Sequence, residues 1–230
     1  MKNLIAIVMT LVLFSSCGPT LNSESIYDIE GNEYHSVILN KQEWLTKNLK
    51  TTKFSNGDVI TQSKSISDWI KSISEKEPSW CYYAFDSTSN IILYNYFCVI
   101  DERNIAINGW RIPRPQDFEK LEEFLDGFTR WSAGDKMKSK TGWDTAFYDN
   151  GIADMNGTNE SLFNAKPVGF FGVYSGDSFL GKGSGTGWWT VSKQYPGTFF
   201  MLDELYADEL VSEVDDELSY GLSIRLIKTD

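Results

Sequence analysis

The longest apolar run in this 230-residue chain leads up to a cysteine. Lys2 gives a positive start, Leu4 to Phe14 are apolar apart from Thr10, and Ser15 and Ser16 lead into Cys17. The run falls short of the roughly 20 residues that a helical bilayer span needs, so it reads as a targeting segment. Everything after Cys17 therefore has to fold around short, interrupted apolar segments. Removing residues 1–16 from the 230 leaves 214, enough for a core without disulfide staples.

Small residues just before a Cys at this distance from the start resemble the lipobox of bacterial lipoproteins. The resemblance implies cleavage before Cys17 by signal peptidase II, a diacylglycerol on its thiol and acylation of the new amine. Anchoring by more than one chain is far firmer than by a single chain. Phe14 stands where a lipobox most often has Leu, and an ordinary secretory signal is the alternative. The chain then divides into a signal peptide at 1–16, a lipidated Cys and tether at 17–27, and one domain at 28–230. The expected location is the cell envelope, as an outer-membrane lipoprotein.

Without Lys2, 20 bases face 32 acids, a net charge near −12. Such a surface cannot displace counterions from a nucleic-acid backbone, so no nucleic-acid partner is expected. Anionic headgroups would repel it too, which leaves the lipid to hold the protein to a membrane. Aromatic residues are abundant, with Trp 8, Tyr 11 and Phe 14; disorder over most of the chain is excluded. The one histidine, His35, rules out a His-based metal cluster and reads as a strand residue facing solvent. Cys81 and Cys98 can pair in an oxidising compartment, but Cys98 sits in the apolar run Tyr94 to Ile100, and two free buried thiols are the favoured reading.

Local signals place several elements. Asp28 to Asn32 reads as a turn, and Asn40-Lys41 as the tip of a hairpin between Tyr34–Leu39 and Gln42–Leu45. Ser55 to Asp58 reads as a second turn. Ile66, Trp69, Ile70 and Ile73 recur at helical spacing behind a Ser65/Asp68 capping pair, which predicts a helix at about 65–75. A second helix is expected from Pro115, with Phe118, Leu121, Phe124, Leu125 and Phe128 as its apolar stripe and Gly127 as its stop. After residue 130 the chain reads as loop-rich, with strand candidates at 170–174, 187–191, 199–202 and 222–227. The expected class is one α+β domain with an antiparallel sheet and long ordered loops.

Candidate chemistry is sparse. The acidic run from Asp203 to Glu217 carries eight carboxylates and no base, but lacks the Gly of a tight calcium loop and reads as a solvated face. Asp149, Asn150, Asp154, Asn156 and Asn159 form a better-shaped oxygen cluster, able to bind hydroxyls or calcium; the same residue types also simply shape long loops. Trp188 and Trp189 are adjacent and point to opposite faces of a strand, so at most one is expected in the core, the other being covered by a loop or offered to a ligand. No phosphate loop, nucleophile elbow or Cys-x-x-Cys is present. No cofactor is expected, with calcium the one metal considered.

Four segments, in order, resemble the Fibrobacter succinogenes major paralogous domain of Bacteroidetes and Fibrobacter lipoproteins. They are Asp28 to Tyr34 with Gln42 to Thr51, Gly109-Trp110-Arg111-Ile112-Pro113, Asn156 to Phe170 with its core Phe163-Asn164-Ala165-Lys166-Pro167, and Gly187 to Ser192 with Gly221 to Arg225. The resemblance covers about 28–228. Ile107-Asn108 replaces a common Cys-Pro, and Leu162 a common Gly. The Trp-Arg-Ile-Pro segment and late Trp-Trp strand are also similar to formylglycine-generating enzymes and the C-type-lectin-like fold, implying two short helices on a small twisted sheet with long loops. No activity carries over, because the oxidase's paired late cysteines have no counterpart after Cys98. The resemblance implies a non-catalytic binding or adhesion domain for a glycan or an envelope or host protein, with a polar site between loops 149–159 and 175–186. A polysaccharide-active enzyme and a structural subunit of a surface assembly are the alternatives.

Overall fold

The computed structural model describes residues 18–126, 130–148, 151–172, 178–203, 209–211 and 219–229. Its strands are β1 (Thr20–Tyr27), β2 (Glu33–Leu39), β3 (Gln42–Leu45), β4 (Thr61–Gln62), β5 (Ser79–Tyr82), β6 (Ile92–Tyr94), β7 (Trp110–Arg111), β8 (Thr145–Tyr148), β9 (Gly151–Asp154), β10 (Val168–Gly172), β11 (Ser178–Lys182), β12 (Gly185–Trp189), β13 (Phe199–Asp203), β14 (Glu209–Val211) and β15 (Ile227–Lys228). Its α-helices are α1 (Ile66–Glu75), α2 (Tyr96–Ile100), α3 (Pro115–Asp126) and α4 (Arg130–Met137). The architecture is α+β, mostly strands in open sheets with few short helices. No helix among the described residues is long and apolar enough to cross a membrane.

One sheet runs β1-β2-β3-β15-β7, all antiparallel. Its β2–β3 hairpin turns at Asn40 and Lys41, both at positive φ (49° and 73°), as a two-residue turn matched to strand twist requires. The C-terminal β15 inserts between β3 and β7, so Ile227 faces both Trp44 and Arg111 across the ladder. The second sheet runs β11-β10-β12-β13-β14, with one parallel contact between β10 and β12. Gly169 opens β10 at φ +76°, where a Cβ would stand 2.5 Å from the Leu180 carbonyl oxygen; only glycine fits that approach. Smaller sheets are β4-β5-β6 and the β8–β9 hairpin.

The predicted first helix starts as its sequence dictates: the Ser65 side chain accepts the Asp68 N–H, and the Asp68 carboxylate accepts the Lys64 N–H. Trp69 is its buried anchor, donating through Nε1 to the Ser219 carbonyl, while Ile66 and Ile70 stay exposed. At α3 the poor cap Arg114 is compensated from inside the helix. Asp117 reaches back to accept the Arg114 N–H at 2.7 Å and takes a fork from Arg111 at 2.6 and 3.1 Å. Burial alone would raise the Asp117 pKa; the Arg111 guanidinium and the Arg114 N–H outweigh it and hold it below the usual carboxylate range. A lowered carboxylate pKa adds stability that is present above the unfolded value, about pH 4, and is lost as pH falls below it. Asp117→Asn is therefore expected to cost about 1–3 kcal/mol at pH 7 and to flatten the acid limb of stability against pH. Unchanged acid sensitivity in urea titrations from pH 6 to 3 would contradict this.

Three expectations need correcting. Residues assigned to a tether form β1, an edge strand paired with β2 from Thr20↔Ile38 to Tyr27↔Glu33; its side chains are mostly exposed, so its order comes from backbone pairing that side-chain pattern does not report. There are four α-helices among the described residues, not two. The region after 130 opens with α4, whose Gly and polar residues disguise it; Lys136 Nζ donates to the Leu125 carbonyl at 2.6 Å, on the negative end of the α3 dipole. Third, one domain is expected to gather Trp44, Trp110, Phe118, Leu121 and one of Trp188 and Trp189 into one shared core, and the core is divided instead. Trp44, Phe118, Leu121 and Trp188 pack together with Phe163 and Phe200, whereas Trp110 and Trp189 belong to a separate cluster with Tyr94, Leu222 and Ile224.

The cause of that split is the Trp pair itself. Trp188 and Trp189 do point to opposite faces of β12, but both faces are covered and both side chains are fully buried. Trp188 Nε1 donates to Asn48 Oδ1 and Trp189 Nε1 to the Tyr94 carbonyl. Neither ring is offered to a ligand. Cys81 on β5 and Cys98 on α2 are free and buried, and burial pushes both thiol pKa values up, so neither is a ready nucleophile.

Candidate functional site

Arg225 lies in the segment that enters β15 and is 1% exposed. A buried charge needs compensation, yet no carboxylate among the described residues supplies it. Arg225 Nε and Nη2 both donate to Asn48 Oδ1, at 2.9 and 2.6 Å, and Nη1 donates to the Leu45 and Phe163 carbonyls at 3.0 and 2.7 Å. The guanidinium also stacks over the Phe163 ring, 4.5 Å from its centroid. Burial lowers its pKa to about 9, which still leaves it charged at neutral pH. Asn48 completes the node by accepting from Trp188 Nε1 and donating to Ser223 Oγ at 2.9 Å. Asn48, Phe163, Trp188, Ser223 and Arg225 come from three of the four recognisable segments, so those segments meet at one buried point.

Above that node opens a cavity of about 350 Å³, lined by residues 46–50, 90–92, 164–168 and 223–225 in part. Among the described residues its charged lining is Lys47, Lys50, Lys166 and Arg225, with no acid. Lys47, Lys50 and Lys166 are exposed and form no ion pair among the described residues; Lys47 feels the Glu33 carboxylate at longer range, and Lys166 Nζ bonds Thr141 at 3.3 Å. Asn90, Asn164 and Ser223 add neutral polar groups. On a chain of net charge −11 this is a concentration of positive charge. A larger groove of about 760 Å³, between the β2–β3 hairpin and α3, contains both signs, and its Arg111–Asp117 and Lys228–Glu43 charges neutralise each other.

The oxygen cluster expected between the late loops is not assembled as a site in the described residues. Asp149 and Asn150 lie outside them. Asp154 Oδ1 accepts the backbone and side-chain N–H groups of Asn156, Asn156 Oδ1 accepts the Trp143 N–H, and Asn159 Oδ1 accepts the Asn164 N–H. These groups hold the loop in shape. Among the described residues no group of three or more His, Cys, Asp or Glu could hold a metal ion. Most of the acidic run 203–217 and all of residues 173–177 lie outside the described residues. Sequence reasoning passed over the cationic cavity, although Asn48, Lys50, Asn164, Lys166 and Arg225 all stand in segments it had singled out.

Comparison with known families matches residues 37–228 to the Fibrobacter succinogenes major domain. No curated protein and no solved structure matches the chain. A match that spans residues 37–228, most of the sequence, identifies the chain as a member of the Fibrobacter succinogenes major domain family.

Proposed function

We propose that this protein is a lipid-anchored component of the bacterial cell envelope, an outer-membrane lipoprotein whose folded domain is a non-catalytic binding module for glycans. The observation that carries the binding half is the cavity over Arg225, where residues from separate family segments bring amides, a hydroxyl and unpaired lysines to one concave surface. Such groups hold and orient a polar ligand. Asn164 suits this use: its side-chain amide has no bond to a described residue, while its backbone is fixed at φ 57° by the Asn159 side chain. We read the finer fold as C-type-lectin-like, supported by few short helices beside open, mainly antiparallel sheets and by the long stretch without strands or helices at 155–167.

The anchor rests on Lys2, the run from Leu4 to Phe14 and the Ser15-Ser16-Cys17 ending. Cys17→Ser is expected to release the protein into the soluble fraction and to abolish labelling by an alkynyl fatty acid. Equal membrane recovery of mutant and wild type would remove the anchor from the reading. The binding half is tested on a glycan array with detergent-purified protein: specific hits that weaken in Asn164→Ala support it, and an array with no hits of any kind opposes it.

A further inference from the structure

We propose that the ligand of the cavity over Arg225 is an acidic saccharide, a sugar ring bearing a carboxylate, seated with its anion toward Arg225 and its hydroxyls toward Asn164. The inference rests on the glycan-binding reading and specifies its ligand. Three observations carry it. The first is charge: Lys47, Lys50, Lys166 and Arg225 line one cavity that no acid among the described residues lines, on a protein with 32 acids and 21 bases. Random placement on so acidic a surface would intersperse carboxylates, as the larger groove does. Like charges brought together repel, and an anion between them relieves the repulsion.

The second is the state of Arg225. A guanidinium has five N–H donors, and four bonds are made here, all to neutral oxygens. One N–H on Nη2 has no acceptor among the described residues, and the charge has no counter-ion among them. A carboxylate is the acceptor that meets both needs, since charge-assisted bonds to guanidinium are the strong ones. The third is size and the neutral lining. About 350 Å³ stands at the small end of ligand sites, room for a sugar unit or two but not for a long chain. The Asn164 side-chain amide, which lines the cavity, gives a donor and an acceptor of the kind that ring hydroxyls use.

The test uses full-length protein purified in detergent, with sodium glucuronate, glucose and inorganic phosphate compared at equal ionic strength by calorimetry and melting temperature. Glucuronate is expected to bind and raise the melting temperature, since a ligand of the folded state alone stabilises it. Glucose and phosphate are expected to do so much less. The Lys50→Ala/Lys166→Ala variant removes two exposed side chains outside the core and is expected to weaken glucuronate binding by at least about tenfold, one decade in affinity, while its melting temperature without ligand stays put. Added salt is expected to weaken binding as well. A glucose response equal to that of glucuronate overturns the acidic assignment, a phosphate response equal to it overturns the saccharide assignment, and full affinity in the double variant overturns the location. Neutral glycans bound on the array without any glucuronate response would overturn this inference and leave the binding reading in place; silence in both experiments would remove both.

Discussion

Arg225→Ala is expected to lower the unfolding free energy by about 3–6 kcal/mol, through several buried acceptors losing their donors at about 1–3 kcal/mol each. Asn48 Oδ1, the Leu45 carbonyl and the Phe163 carbonyl all receive N–H groups from this one side chain. Truncation also opens a void beneath the Phe163 and Trp188 rings, which the guanidinium faces at 4.5 and 5.5 Å. Lys cannot substitute, because a single ammonium cannot reach Asn48 on one side and two carbonyls on the other. Arg225→Met separates the contributions. It restores most of the volume and removes the cost of burying a charge, so its loss should be smaller than that of Ala but still clear. Urea midpoints with unchanged m-values would measure both. A loss below about 1 kcal/mol in the Ala variant would mean that the Arg225 node does not hold its segments together.

Phe118→Ala is expected to cost about 3–5 kcal/mol, the usual range for a large aromatic removed from a packed interior. Phe118 is fully buried at the point where α3 meets both main sheets. Its ring lies 4.2 Å from Phe200 on β13 at an interplanar angle of 3°, and 4.9 Å from Trp44 on β3. Deleting it unfastens the helix from two layers at once, and the neighbouring rings are too rigid to close the gap. Phe118→Leu should recover part of the loss. An Ala variant within about 1 kcal/mol of wild type would show that α3 is not docked on those rings.

Local devices were legible in the sequence, because they are made by residues a few positions apart. Ser65 with Asp68, Asn40-Lys41 and Pro115 each specify their own backbone. The alternation of Trp188 and Trp189 also read correctly as opposite faces. What it lacked was the second layer: the covering residues Tyr96, Phe118 and Phe163 lie far away in sequence, and nothing near the pair announces them. β1 escaped for the opposite reason, since an edge strand held by backbone bonds needs no apolar pattern. Arg225 escaped because a charged residue ordinarily reads as exposed, and its neutral partners from residues 45, 48 and 163 are identifiable only once the chain is folded. The candidate cavity has the same character. Its four cations are spread from 47 to 225 and form a pattern only in three dimensions.

The early start of β1 has a mechanical consequence. Only Gly18 and Pro19 separate Cys17 from the first residue of that strand, and three fully extended residues reach about 10 Å. On the proposed lipoprotein reading this is a very short leash. The domain would ride against the headgroups, its edge strand turned toward the bilayer, with little freedom to swing outward. Its catch would be confined to molecules that come within a domain's height of the membrane, and lengthening the leash between Cys17 and Thr20 would extend its reach without touching the binding surface.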